Sequence, residues 1–247
     1  MARHVSEIGY RNPKFQLLFR GQSEDYKIEH LSPGKSRTQR RLISSILPKI
    51  YRNLNSNVAT LNTMRDRIDI LLDKSSWLIN LPPFQRDSRL RQNIEMCWAV
   101  LQHYEKADTP LVDLSQSLHI AASFALMKNN SGYVYVFGVP PLQGSISHFV
   151  DDSISIIRLQ AACPPPATRP HLQEGFLVGH FPFQSSLDPR NFKVSHVSST
   201  LNLSRRMLGK FKISNLGKFW DGGFTKIEKL RLLPENDPLL DELSHRY

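Results

Sequence analysis

Asp113-Leu114-Ser115-Gln116-Ser117-Leu118-His119-Ile120-Ala121-Ala122-Ser123-Phe124-Ala125 is the stretch on which the fold turns. A polar loop with two hydroxyls runs straight into a segment whose Ala121, Phe124 and Ala125 share one helical face. Ser115 or Ser117 caps the free N–H groups at its start, so a helix is predicted from there to Met127. Upstream, Leu90, Ile94, Trp98 and Leu101 recur at helical intervals and predict a second helix that ends near His103 and Tyr104. Downstream, Tyr133-Val134-Tyr135-Val136-Phe137 is β-branched and aromatic, as a central strand demands. Helices and strands interleaved in this way predict an α+β fold.

Working outward to the amino end, Phe15, Leu17 and Phe19 alternate with Gln16 and Leu18, which predicts a short strand delivering Arg20 to a loop, with Gly21 at the turn. Two helical stretches are expected next, the second carrying Val58, Leu61, Met64, Ile68 and Leu71 as one buried stripe. Toward the carboxyl end, residues 153–159 and 175–178 read as strands, and Cys163-Pro164-Pro165-Pro166 between them as a loop, since proline cannot join a ladder. Residues 202–217 and 237–245 are expected to be helical, the second opened by Pro238 just after Asp237.

The chain has 247 residues, 40% of them hydrophobic, enough for one large domain or a domain with an extension. Its two cysteines, Cys97 and Cys163, allow at most one disulfide and no zinc spacing, which argues against a secreted disulfide framework. Charges are mixed throughout the first 21 residues and no apolar run approaches the ~18 residues of a membrane span, so a cytoplasmic protein without a membrane partner is expected.

The formal net charge is +10, unevenly placed. Residues 35–52 hold Lys35, Arg37, Arg40, Arg41, Lys49 and Arg52 and no acid. Residues 201–233 hold Arg205, Arg206, Lys210, Lys212, Lys218, Lys226, Lys229 and Arg231 against Asp221 and Glu228. Clustered cations attract polyanions, and binding through them weakens with salt. Arg40, Arg41, Arg205, Arg206 and Lys210 are therefore candidate nucleic-acid contacts. The other readings of such a face are a solvated surface or the seat of an acidic protein.

Four islands stand in order along the chain: Phe19-Arg20-Gly21-Gln22, Gln102-His103-Tyr104, Asp113 to Ala125, and Gln173-x-Gly175-Phe176. Over residues 15–180 they resemble the FRG domain family, named after the first island. The family's loop after Gln-His-Tyr usually continues Gly-Leu-Pro-Thr-Arg-Leu-Leu-Asp. Here residues 105–113 are one residue longer, lack the glycine and carry Pro110 in place of the arginine.

FRG domains in turn resemble ADP-ribosyltransferases of the arginine-serine-glutamate class. The resemblance implies an ADP-ribosyltransferase-like central sheet flanked by helices over residues 1–183, with a basic helical extension, residues 184–247, packed on it. It implies NAD as cofactor, bound by Arg20, Gly21, Gln22, His103, Tyr104, Ser115 and Ser117, and catalysis by Glu174, Gln173 or Asp113. A planar guanidinium suits a pyrophosphate better than an ammonium does, and a carboxylate stabilises positive charge growing on the sugar. In the transferases the catalytic glutamate lies two residues after a Gln or Glu, whereas Glu174 follows Gln173 directly. On a strand those neighbours face opposite ways, which leaves Asp113 as the substitute.

The resemblance thus implies an NAD-dependent ADP-ribosyltransferase in a toxin or antiviral defence setting. The basic face favours nucleic acid over protein as the acceptor, RNA before DNA, and the single-stranded form is expected because the acceptor base must unstack to reach the sugar. An acidic antitoxin or inhibitor is the protein partner that the basic face suits. The alternative is a catalytically silent FRG module binding nucleic acid or a protein through the same face. Gly34-Lys35-Ser36 lacks the first glycine of a phosphate loop, and His171 and His180 lack zinc spacing, so no metal is expected.

Overall fold

The computed structural model describes residues 1–32, 39–53, 58–183, 201–215, 219–220 and 224–244. Helix α1 (Ala2–Arg11) leads into β1 (Gln16–Gln22), and a hairpin of β2 (Lys27–Ser32) and β3 (Gln39–Ser44) follows. Next come α2 (Val58–Leu78), α3 (Ser88–Gln92) and α4 (Ile94–His103), then β4 (Leu111–Ser115), α5 (Leu118–Ala125), β5 (Ser131–Val139), β6 (Ile146–Phe149) and β7 (Ile154–Arg158). The short α6 (Leu159–Ala162) and α7 (Arg169–Leu172) precede β8 (Gly175–His180); β9 (Met207–Ser214), α8 (Lys229–Leu232) and α9 (Pro238–Ser244) complete the described elements.

Seven strands form one antiparallel sheet in the order β6-β7-β8-β4-β1-β5-β9, with β1 near its middle. Alternation gives the sheet two apolar faces. One carries Leu18, Val112, Tyr135, Phe137, Phe176 and Val178. On the other, α2 to α4 pack over Leu111, Ile157 and Leu177, while α1 and α5 pack over Phe19, Val134 and Val136. The class is the α+β fold expected from the sequence.

Arg20 and Gly21 do not leave β1 for a loop. Both stay in the ladder, opposite Tyr135 and Val134. Gly21 is required by close packing: a Cβ there would lie 1.8 Å from the Ala121 carbonyl oxygen and 2.6 Å from the Ala125 nitrogen, so only glycine lets α5 settle on β1. Where a first helical stretch was expected, Ile28 and Ile43 face one another across the β2–β3 hairpin. The Leu90-to-Leu101 stripe is divided at Asn93 between α3 and α4, and the expected stripe residues Met64 and Leu71 are buried on α2.

The helix expected over 202–217 is, as far as residue 215, instead a 3₁₀ turn followed by β9, and residues 216 and 217 lie outside the described residues. Leu208, Lys210 and Lys212 are exposed while Phe211 and Ile213 turn inward, a period of two that a helix cannot use. The basic carboxyl-terminal segment therefore contributes the last strand of the sheet, hydrogen-bonded to β5, and residues 184–200, where a boundary was expected, lie outside the described residues. Further on, Asp237 is fully buried. One carboxylate oxygen accepts from the backbone of Leu239 and Leu240 at the start of α9. The other accepts from Thr168 and Arg169 at the start of α7 and from the Tyr104 hydroxyl. One side chain thus caps two helices.

Candidate functional site

β1 and β4 share a single register pair, Phe19 opposite Ser115. Beyond it the strands part, and a cleft of about 480 Å³ opens between the α4 side and the α5 side of the sheet. Arg20, Gln102, His103, Asp113, Ser115 and Gln173 all line it, so residues from all four sequence islands meet in one place.

Asp113 is the focus. Gln102 Nε2 donates to Oδ2 at 3.1 Å and His103 Nδ1 stands 3.3 Å from Oδ1. The Arg20 guanidinium donates to the Asp113 backbone carbonyl at 2.6 Å. Gln102 is itself oriented, because the buried Thr109 hydroxyl donates to its Oε1 at 2.9 Å and leaves the NH₂ group facing the carboxylate. The carboxylate is still 35% exposed to the cleft while the His103 side chain is only 3% exposed. Burial raises the Asp113 pKa, but the His103 hydrogen bond and charge, the Arg20 charge and the Gln102 hydrogen bond outweigh it and hold the group below the usual value. Burial pulls Arg20 down, Asp113 opposes this, and the nearby Arg52 cation adds to it. A guanidinium starts so high that it stays charged at neutral pH. Three buried nitrogens of cleft residues, Arg20 Nε, His103 Nε2 and Arg169 Nε, have no hydrogen-bond partner among the described residues. Such nitrogens are chemically suited to an anionic, oxygen-rich group.

Other expected site residues are placed differently. Ser117 caps α5 by accepting from the Ile120 N–H, and Ser115 donates to the Gln173 carbonyl while accepting from the Ser117 N–H. Both hydroxyls serve the backbone. Gln173 lines the cleft, but its amide donates to the Leu232 carbonyl at 2.7 Å. Glu174 is exposed and stands outside the cleft lining. It occupies a left-handed position, φ 45°, in the turn that ends α7, so strand alternation does not govern where it points. Tyr104 lies in the core on Asp237, and burial followed by the nearby Cys163 and Asp237 raises its pKa; like Gln22, it is not a lining residue.

Of the candidate nucleic-acid contacts, Arg41 is exposed on β3, and the side chain of Arg40 lies outside the described residues. Arg206 is paired with Asp152 at 2.6 Å, and Lys210 with Asp25 at 2.8 Å. Arg205 and Arg206 border a separate hollow of about 420 Å³ with Asp151, Asp152 and His180. The sequence reading left Lys49, Arg52, Arg169 and Thr109 without a place in the site. Lys49 and Arg52 had a signal in the basic run 35–52 and Thr109 as the threonine of the family loop, whereas Arg169 had none.

Both cysteines are free and buried. Burial pushes the Cys97 thiol up to about 12 and raises Cys163 as well, so neither is poised as a nucleophile. Among the described residues no cluster of three His, Cys, Asp or Glu side chains is placed to hold a metal ion, and no helix is long and apolar enough to cross a membrane.

The model of the FRG domain matches residues 16–133. The chain carries an FRG domain. The match begins with β1 and ends inside β5, so it spans the Arg20 strand, the Gln102-His103 helix end, Asp113 and the hydroxyl loop. No curated protein and no solved structure matches the chain. The loop glycine usual in FRG domains has a physical counterpart. Glu105, at φ 56°, takes the left-handed position just past the end of α4, where a side chain is tolerated with some strain.

Proposed function

We propose that this FRG domain is an NAD-dependent ADP-ribosyltransferase acting on nucleic acid. The observation that carries the reading is the meeting of Arg20, Gln102-His103 and Asp113 on one cleft with buried nitrogens that have no hydrogen-bond partner among the described residues. The cleft would hold NAD, which would supply the ADP-ribosyl group and an electron-poor sugar carbon. Arg20 holds phosphate oxygens with its planar fork. Asp113, kept ionised by His103, Arg20 and Gln102, stabilises the positive charge and takes a proton from the attacking group. Asp113 replaces Glu174 in this role because it alone of the two lines the cleft.

The acceptor is assigned from charge. The basic segment that includes Arg41 runs on to Lys49 and Arg52 at the cleft itself, a path along which a single strand would bring a base to the site. A toxin or antiviral-defence setting accompanies this reading. A second reading, an FRG module without catalysis that binds nucleic acid or an acidic protein, is favoured by one observation: Ser115 and Ser117 are committed to the backbone and Glu174 is turned away. Incubating the protein with adenylate-labelled NAD and separate RNA, DNA and protein pools divides the two. Label on single-stranded RNA or DNA is the expected result; salt-sensitive binding without label removes the transferase.

A further inference from the structure

Three guanidinium groups reach the cleft from separate elements. Arg20 comes from β1, Arg52 from the turn after residue 51, and Arg169 from the first turn of α7. Among the described residues none of them forms a salt bridge, in contrast to Lys49, which pairs with Asp108 at 2.9 Å. Each is nevertheless held. Arg20 donates to the Asp113 carbonyl, Arg52 Nε donates to the Leu47 carbonyl at 3.0 Å, and Arg169 lies over the Tyr104 ring with its carbon 5.6 Å from the centroid. That ring is fixed in turn by the buried Asp237.

The carboxylates of the lining are Asp113 and Glu105, and Asp113 is already engaged by Gln102 and His103. Gathering like charges around a cleft is unfavourable unless a ligand neutralises them. We propose that Arg52 and Arg169 join Arg20 as a clamp for the diphosphate of a nucleotide ligand. Each planar fork presents parallel N–H donors to a pair of oxygens. Three forks offer more pairs than one phosphate group can fill, and two bridged phosphates fill them. Among the described residues the buried Nε atoms of Arg20 and Arg169 have no hydrogen-bond partner. The clamp rests on the cleft being the ligand site, as in the transferase reading, and not on transfer taking place.

Titration calorimetry of the full chain with ADP-ribose, ADP and adenosine tests it. ADP-ribose and ADP bind, adenosine does not, and Arg52→Gln weakens ADP-ribose about tenfold, the worth of a charged hydrogen bond. Arg169→Lys keeps the charge and the contact with Tyr104 but loses the fork, and weakens binding to a similar degree; thermal unfolding confirms that both variants fold. Adenosine binding as tightly as ADP-ribose, or unchanged ADP-ribose affinity in both folded variants, overturns the clamp. Labelled NAD separates the two claims. Transfer with unaltered KM in both variants removes the clamp and leaves the transferase, whereas clamped ADP-ribose without any transfer does the reverse.

Discussion

The two sides of the cleft use their polar groups in opposite ways. On the β1–β4 side, Gln102 and His103 meet the partly exposed Asp113 carboxylate and Arg20 its backbone carbonyl, and among the described residues Arg20 Nε and His103 Nε2 have no hydrogen-bond partner. On the side formed by the hydroxyl loop and the α7–β8 turn, Ser115, Ser117 and Gln173 are bonded to backbone groups. A group already closing a helix end or a turn cannot turn to a ligand without leaving that end open. The difference teaches that Ser115, Ser117 and Gln173 serve the scaffold, whereas Arg20, Gln102, His103 and Asp113 are grouped around a carboxylate at the cleft.

The scaffold side is broken most severely at Asp237. Removing its carboxylate uncaps α7 and α9 and leaves the buried Tyr104 hydroxyl without its acceptor, so Asp237→Ala should cost about 4 kcal/mol of stability. Denaturant unfolding checks this, and a loss under about 1 kcal/mol would show that water or a neighbour takes over the cap.

The carboxylate side is sharpened by pH. The folded-state pKa of Asp113 is depressed, so its stabilising contribution is complete above the unfolded value near 4 and fades as pH falls through the folded value. Melting temperatures of the protein and of Asp113→Asn should differ most at neutral pH and converge below about pH 4. A gap that stays constant with pH would mean that His103 and Arg20 do not favour the charged form. The smallest effect is expected at Glu174. Its left-handed backbone favours glycine, so Glu174→Gly should be neutral or stabilise by about 0.5 kcal/mol in the same melts, where a structural role for the carboxylate would destabilise.

Much of the framework was legible. The apolar periodicities of α2 and α5, the β-branched runs of β5 and β7 and the Asp237-Pro238 helix start are local signals that packing reinforces. β9 was missed because its inward Met207, Phe211 and Ile213 sit among lysines in a short run that also suits a helix; pairing with β5, distant in sequence, decides the matter. At the site, the Arg20, His103 and Asp113 islands carried a readable pattern. The places of Arg52 and Arg169 follow from where a turn and a short helix fold back on the cleft, which no spacing encodes. Glu174 was misleading for a similar reason, since the left-handed turn before β8 sets its direction.

Transfer from adenylate-labelled NAD, measured side by side for the protein, Asp113→Asn and Glu174→Ala, tests the central claim most directly. Label should pass to single-stranded nucleic acid with the protein and with Glu174→Ala, and fall at least about a hundredfold with folded Asp113→Asn, the share a positioned proton acceptor contributes. Activity that survives in Asp113→Asn and disappears in Glu174→Ala would contradict it.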